Sequence, residues 1–339
     1  MLDARVWLLW ALSLLLIASY ARNPLYGIVL LLTTLVVGSV CAPDREGPRM
    51  PLSPLRFALI AIPLAALFNA LTVRLGETVL LQLPTWLPLV GGPVTGEGLV
   101  FGATNGLILT VIFSSFAVFN RVIPVRDLIK LTPRAFHESG VVLSIALTFI
   151  PQTTRSLQRI REAQAVRGHR VRGLRDWLPI IVPLLVSGLE RAIGLAEAMV
   201  ARGYGAVADA GQPVRNQLFL ALGLLALLGG WLGYLFMPAQ RGIAAGFALA
   251  GAVLLVAVLW LAGRSTVHSV YRQRRWRVQD TLALGGCTLA LAVALTQRGA
   301  LYYAPYPRLA WPAFDPLIGL GLLGLLLPAF LPLDEEERL

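Results

Sequence analysis

Apolar runs recur along this 339-residue chain, several near the length that crosses a bilayer as a helix, about 17–25 residues. Inside hydrocarbon every backbone N–H and C=O has to be satisfied within the protein, so such runs are confined to helices or closed barrels. The runs are Val6–Tyr20, Leu25–Val40, Phe57–Val73, Leu99–Asn120, Gln217–Phe236, Ile243–Ala262, Thr281–Thr296 and Pro316–Leu331. Only 14% of the residues are charged, where a soluble domain carries roughly 25%. The expected fold is an all-α polytopic membrane protein, a helical membrane bundle with two long cytoplasmic helices. The first run follows Asp3 and Arg5 without a small-residue cleavage site behind it, and it reads as a retained span rather than a signal peptide.

Orientation follows from the arginines. The formal net charge is +11, and Lys130 is the only lysine. Such a balance in a soluble protein points to nucleic acid. In a chain of spans it is better explained by cationic cytoplasmic loops, so nucleic acid is not an expected partner. Arg45, Arg49 and Arg56 follow the second run, and Arg264, Arg272, Arg274, Arg275 and Arg277 follow the sixth. Between Arg121 and Arg215 there are fourteen Lys and Arg against seven Asp and Glu. With these three regions inside, eight spans connect them without conflict, in a multi-pass protein of the cell membrane. The N-terminus and the acidic tail Asp334–Glu337 also fall in the cytoplasm. Tyr302, Tyr303, Tyr306 and Trp311 then lie outside, where an aromatic belt meets the water interface.

Three segments follow. Residues 1–120 hold N-terminal transmembrane helices, with an extracytoplasmic hairpin near 75–98 suggested by Glu77–Leu83 and the prolines and glycines behind it. Glu97, near the start of the fourth run, suits the positive end of a helix; catalysis by it alone is a poor expectation. Residues 121–215 form a basic cytoplasmic segment. Residues 216–339 are C-terminal transmembrane helices. Cys41 and Cys287 have no second Cys or His at ligand spacing, and His137, His169 and His268 are isolated. Neither a disulfide nor a metal site has support, and a structural or solvated role is expected for each histidine.

The central segment holds two helical patterns. In the first, Val141–Pro151 is apolar over about eleven residues, too short to span alone, and the pattern continues amphipathically through Leu157, Ile160 and Ala163. In the second, Leu185, Leu189, Ala192, Ala196 and Met199 form one stripe, with small residues that permit close helix approach. Long helices at the cytoplasmic boundary are preferred over an additional pair of spans. Each pattern ends in Arg-Gly: Ala165-Val166-Arg167-Gly168 and Val200-Ala201-Arg202-Gly203-Tyr204-Gly205. Taken singly, either end is a well-made helix cap, with glycine adopting the left-handed conformation and arginine facing the negative end of the dipole. Taken together, 35 residues apart, they present two planar cationic forks that fit two acidic grooves.

This pair of helix ends, set in a basic segment between spans, resembles the transmembrane coupling (T) component of energy-coupling-factor (ECF) ABC transporters, the EcfT family related to CbiQ-type cobalt permeases. The resemblance covers roughly Leu25 to Leu235, including Glu97-Gly98, the Asp127-Leu128 region and both motifs. The second motif, Ala-Met-Val-Ala-Arg-Gly-Tyr-Gly, is the more specific. The first has Val166 where alanine is common, and the chain runs on past the usual family end.

The resemblance implies a non-catalytic scaffold. Two cytoplasmic ABC ATPase subunits would dock on the coupling helices, and a substrate-binding S component would pack against it in the membrane lipid. ATP and Mg would be bound by the ATPases and no cofactor by this chain. The coupling residues would be Arg167, Gly168, Arg202 and Gly203, with Ala163 and Ala201 beside them. Ala163, Ala192 and Ala196 would let the helices cross closely. Arg159, Arg161, Arg170 and Arg172 would be secondary contacts or basic surface. The substrate would be a vitamin or a transition-metal ion. The rivals are a self-sufficient secondary transporter, which would show repeated halves and mid-membrane ionisable groups, and a membrane-embedded transferase, which would need an acidic or His cluster at a span end.

Overall fold

The computed structural model describes residues 2–41, 53–84, 91–131, 137–169, 173–204, 214–264 and 276–331. The described chain is almost wholly helical. Seven helices are long and apolar enough to cross a membrane: Pro24–Cys41, Pro54–Thr72, Gly96–Val122, Arg175–Ala201, Asn216–Phe236, Pro238–Leu261 and Val278–Thr296. Six of these coincide with expected spans. The other two expected spans are shorter apolar helices, Ala4–Tyr20 and Pro316–Phe330. The seventh long helix is the second helix of the central segment. By length and composition it meets the requirement for crossing, because its apolar residues continue from Leu178 to Ala196 with only Glu190 and Arg191 charged among them.

Two compact units divide the chain. One joins residues 1–128 to 272–339, and the other is 129–271. The first unit contains α1 (Ala4–Tyr20), α2 (Pro24–Cys41), α3 (Pro54–Thr72), β1 (Val79–Leu83), β2 (Gly92–Thr95) and α4 (Gly96–Val122). After the short α5 (Val125–Ile129), which reaches the boundary, the second unit holds α6 (His137–Val166), α7 (Leu178–Ala201), α8 (Val214–Phe236) and α9 (Arg241–Arg264). The first unit then resumes with α10 (Val278–Thr296), α11 (Arg298–Leu301), α12 (Pro316–Leu322) and α13 (Leu327–Phe330).

Helix starts in the first unit are set by side-chain caps. Asp3 accepts from the Arg5 N–H, Ser53 from Arg56, Thr95 from Gly98 and Asp315 from Leu317. Pro54 and Pro316 sit where a missing N–H costs nothing. Close packing relies on small residues. A Cβ on Gly102 would lie 2.4 Å from the Ala65 carbonyl oxygen, and one on Gly106 2.8 Å from the Ile62 Cα. α3 and α4 therefore run almost backbone to backbone, as membrane helices do when no hydrophobic force holds them together. Between them, β1 and β2 pair antiparallel, with Leu83 opposite Gly92. Glu97, in the first turn of α4, is fully buried and accepts the Thr78 N–H at 3.0 Å, tying this ribbon to the helix.

The core of the first unit draws on both ends of the chain. Trp10, Leu14 and Ile17 of α1 and Tyr26, Leu30 and Val37 of α2 cluster with Cys287 and Ala290 of α10 and with Leu322 and Leu325. In the second unit, α8 and α9 form a tight hairpin. A Cβ on Gly230 would meet the Ala248 nitrogen at 2.3 Å, and one on Gly251 the Leu227 nitrogen at 2.5 Å.

Candidate functional site

The two Arg-Gly steps terminate α6 and α7 with one and the same bond pattern. At the end of α6 the Gly168 N–H donates to the Ala165 carbonyl and the His169 N–H to the Gln164 carbonyl. At the end of α7 the Gly203 N–H donates to Val200 and the Tyr204 N–H to Met199. These are Schellman motifs, in which two of the last helix carbonyls are satisfied by the turn itself. The turn needs a left-handed residue, and Gly168 and Gly203 have φ of +79° and +78°. Nothing lies within 4 Å of a Cβ at either glycine. The requirement for glycine is therefore one of backbone conformation rather than space.

Each arginine stands one residue before its glycine, at the C-cap, where the guanidinium can swing over the negative helix end. Arg167 and Arg202 are both exposed, and among the described residues neither has a side-chain hydrogen bond or ion pair. Val166 is 90% exposed. Ala163, Ala165 and Ala201 are exposed as well. Both cationic tips thus project from uncrowded ends.

Around the first tip, other groups are already engaged. The Arg161 guanidinium lies 5.4 Å from the Trp177 ring centroid. Arg159 folds back, its Nε donating to the Arg155 carbonyl at 3.4 Å. His169 Nε2 lies 2.7 Å from the Asp176 carbonyl oxygen. A carbonyl can only accept, so this nitrogen carries the proton. Gln164 Nε2 donates to the Pro179 carbonyl at 3.4 Å. The C-terminal end of α6 is in this way moored to the start of α7. Arg170, Arg172 and Gly205 lie outside the described residues.

The stripe expected to carry the helix crossing is a correction. Ala163, Ala192 and Ala196 are exposed, as are Leu185 and Leu189. The more covered positions of α7 are Ile180, which is buried, and Leu184, Ser187, Gly188, Arg191, Leu195 and Met199; over residues 155–166 of α6 they are Ser156, Leu157, Ile160 and Gln164. Periodicity identifies a face but not its neighbour. On α7 the covered face lies beside the expected stripe and mixes Ile and Leu with Ser, Gly and Arg, so neither size nor polarity marks it in the sequence. The exposed stripe holds Leu185 at 66% and Leu189 at 64% exposure, which leaves it open to lipid or a second protein. Among the described residues no three His, Cys, Asp or Glu come together as a metal-ligand group.

Comparison with known proteins adds a second line. The family model CbiQ, described as cobalt transport protein, matches residues 1–213. Among similar proteins are three named energy-coupling factor transporter transmembrane protein EcfT. The one from Acidaminococcus fermentans is 35% identical over 127 residues, 33% of this chain and 47% of its own length. The one from Streptococcus thermophilus is 40% identical over 74 residues, 20% of this chain and 28% of the relative. The one from Bacillus selenitireducens is 31% identical over 220 residues, 60% of this chain and 78% of the relative. The chain spans less than half the length of the first two, and over three quarters of the third.

Proposed function

The chain belongs to the CbiQ family of cobalt transport proteins, and from that premise we propose that it is the transmembrane coupling component of an energy-coupling-factor transporter. In this reading it is the non-catalytic subunit of an ATP-driven pump. Two cytoplasmic ATPases dock on α6 and α7 and bind ATP and Mg themselves. A separate S component carries the vitamin or transition-metal ion, and motion of the ATPases passes to it through the two helices.

The observation that carries this reading is the matched pair of ends. Arg167 and Arg202 occupy the same position in two identical Schellman turns, exposed and uncrowded. A capping role accounts for each turn but leaves both guanidinium groups without work. A partner carboxylate or carbonyl cluster would take them as bidentate forks. Losing one side of such a desolvated pair costs about 2–5 kcal/mol.

The test is co-purification. A tagged chain should bring down two cassette ATPases and a small hydrophobic protein. Arg202→Glu should reduce ATPase recovery at least tenfold, and Arg167→Glu together with Arg202→Glu should abolish it, with membrane insertion unchanged. Normal ATPase recovery and normal uptake in the double variant would sink the assignment.

A further inference from the structure

The part of the chain beyond the family match includes a segment that packs back on the first two helices. Val278–Leu331 comprises α10, α11, the loop 302–315, α12 and α13, with a 3-10 turn at Leu323–Leu326 joining the last two. It forms a hairpin of its own. A Cβ on Gly286 of α10 would meet the Gly324 carbonyl oxygen at 2.4 Å, and Gly321 abuts Val293.

This hairpin is bonded to α1 and α2 along its whole length. At one end the Asp3 N–H donates to Asp280 Oδ1 at 2.8 Å, and Cys41 Sγ contacts the Pro328 carbonyl at 3.4 Å. Midway, Trp10 Nε1 donates to the Leu325 carbonyl at 2.9 Å with both groups buried. That carbonyl lies in the 3-10 turn just before Pro328, where the regular helix ladder is broken, and a neighbouring helix has to satisfy it. At the other end Asn23 Nδ2 donates to the Ala313 carbonyl, the Asp315 N–H to Tyr26 OH, and Asn23 N–H to the Leu301 carbonyl. The Arg298 guanidinium sits 5.1 Å from the Tyr20 ring centroid. Beyond the helices, Arg308 Nε meets Glu77 Oε2 at 2.6 Å. The partners lie 231 to 315 residues apart in sequence wherever a side chain makes the bond.

We propose that Val278–Leu331 is a built-in subunit: a helical hairpin that docks on α1 and α2 as a separate membrane protein would. It closes that face to other membrane proteins, so the S component of the proposed complex docks on another surface. Only this last clause rests on the coupling reading. The docking itself is independent of it.

The experiment keeps the chain whole until after assembly. A protease site is inserted between Tyr271 and Arg272, the protein is purified in mild detergent, and the chain is then cut. The two fragments should co-elute through gel filtration. In the same background Gly286→Leu should release most of the C-terminal fragment. Gly285→Leu should release none, since a Cβ there meets nothing within 4 Å. If Gly286→Leu prevents purification, Trp10→Phe, which keeps an aromatic ring but removes the donor and part of the buried volume, should increase the released fraction over the wild-type chain. Separation of the wild-type fragments on cutting, equal release by Gly285→Leu and Gly286→Leu, or no change with Trp10→Phe would overturn the proposal. Exclusion of the S component from this face has its own readout. A photo-crosslinker at Trp10 should capture the chain's own C-terminal fragment, and capture of a separate small membrane protein there would overturn it while leaving ATPase co-purification untouched.

Discussion

At residue scale, Gly203 and Gly168 are the positions where backbone conformation and proposed function meet. A Cβ at φ near +78° costs an L-residue roughly 1–2 kcal/mol, although nothing crowds it. Gly203→Ala should therefore loosen the last turn of α7 and raise amide exchange at residues 203 and 204 at least several-fold, measured by hydrogen–deuterium exchange. Gly203→Asn, which tolerates the left-handed region, should recover most of the protection. Equal exchange in Ala and Asn variants would count against a purely conformational role. The glycines and their arginines are legible in the sequence because capping is a local rule acting over five residues. The engagement of Arg161 by Trp177, and of Arg159 by its own helix, is not legible, since it depends on how the α6–α7 connection folds.

At the scale of elements, the existence of the helices is plain from the sequence, because a long apolar run in lipid leaves the backbone no alternative. Which face meets which neighbour is not. On α7 the stripe Leu185, Leu189, Ala192, Ala196 and Met199 has the right period, yet all of its members but Met199 are exposed. The α8–α9 hairpin shows what does decide close packing. A Cβ on Gly230 would have backbone atoms of Ala244 and Ala248 within 2.8 Å, whereas one on Gly229, a single residue earlier, would meet nothing within 4 Å. Gly230→Leu should thus separate the two helices and destabilise the protein by at least the ~1–3 kcal/mol typical of overpacking. Gly229→Leu should be close to neutral, as it points to lipid or open space. Thermal aggregation onset in detergent compares the two. Equal onset temperatures would mean that this interface contributes little to the fold.

At the scale of the whole molecule, the joining of residues 272–339 to the N-terminal helices has no sequence signal. Contacts such as Trp10 to Leu325 span nearly the full chain, and lipid-facing and protein-facing helices are equally apolar. Sidedness, by contrast, has a clear sequence rule and rests on the arginine-rich loops. It can be tested with thiol chemistry, because the native Cys41 and Cys287 are both buried and contribute little background. Leu80 of β1 is 59% exposed and Val166 at the end of α6 is 90% exposed, so a cysteine at either site is open to reagent. A membrane-impermeant maleimide should label Leu80→Cys in intact cells, and Val166→Cys only after the membrane is opened. Labelling of Val166→Cys from outside would place the Arg167 end on the wrong side for cytoplasmic ATPases. The docking role would then fail however well formed its helix cap is, since both arginine tips must reach the compartment where ATP is hydrolysed.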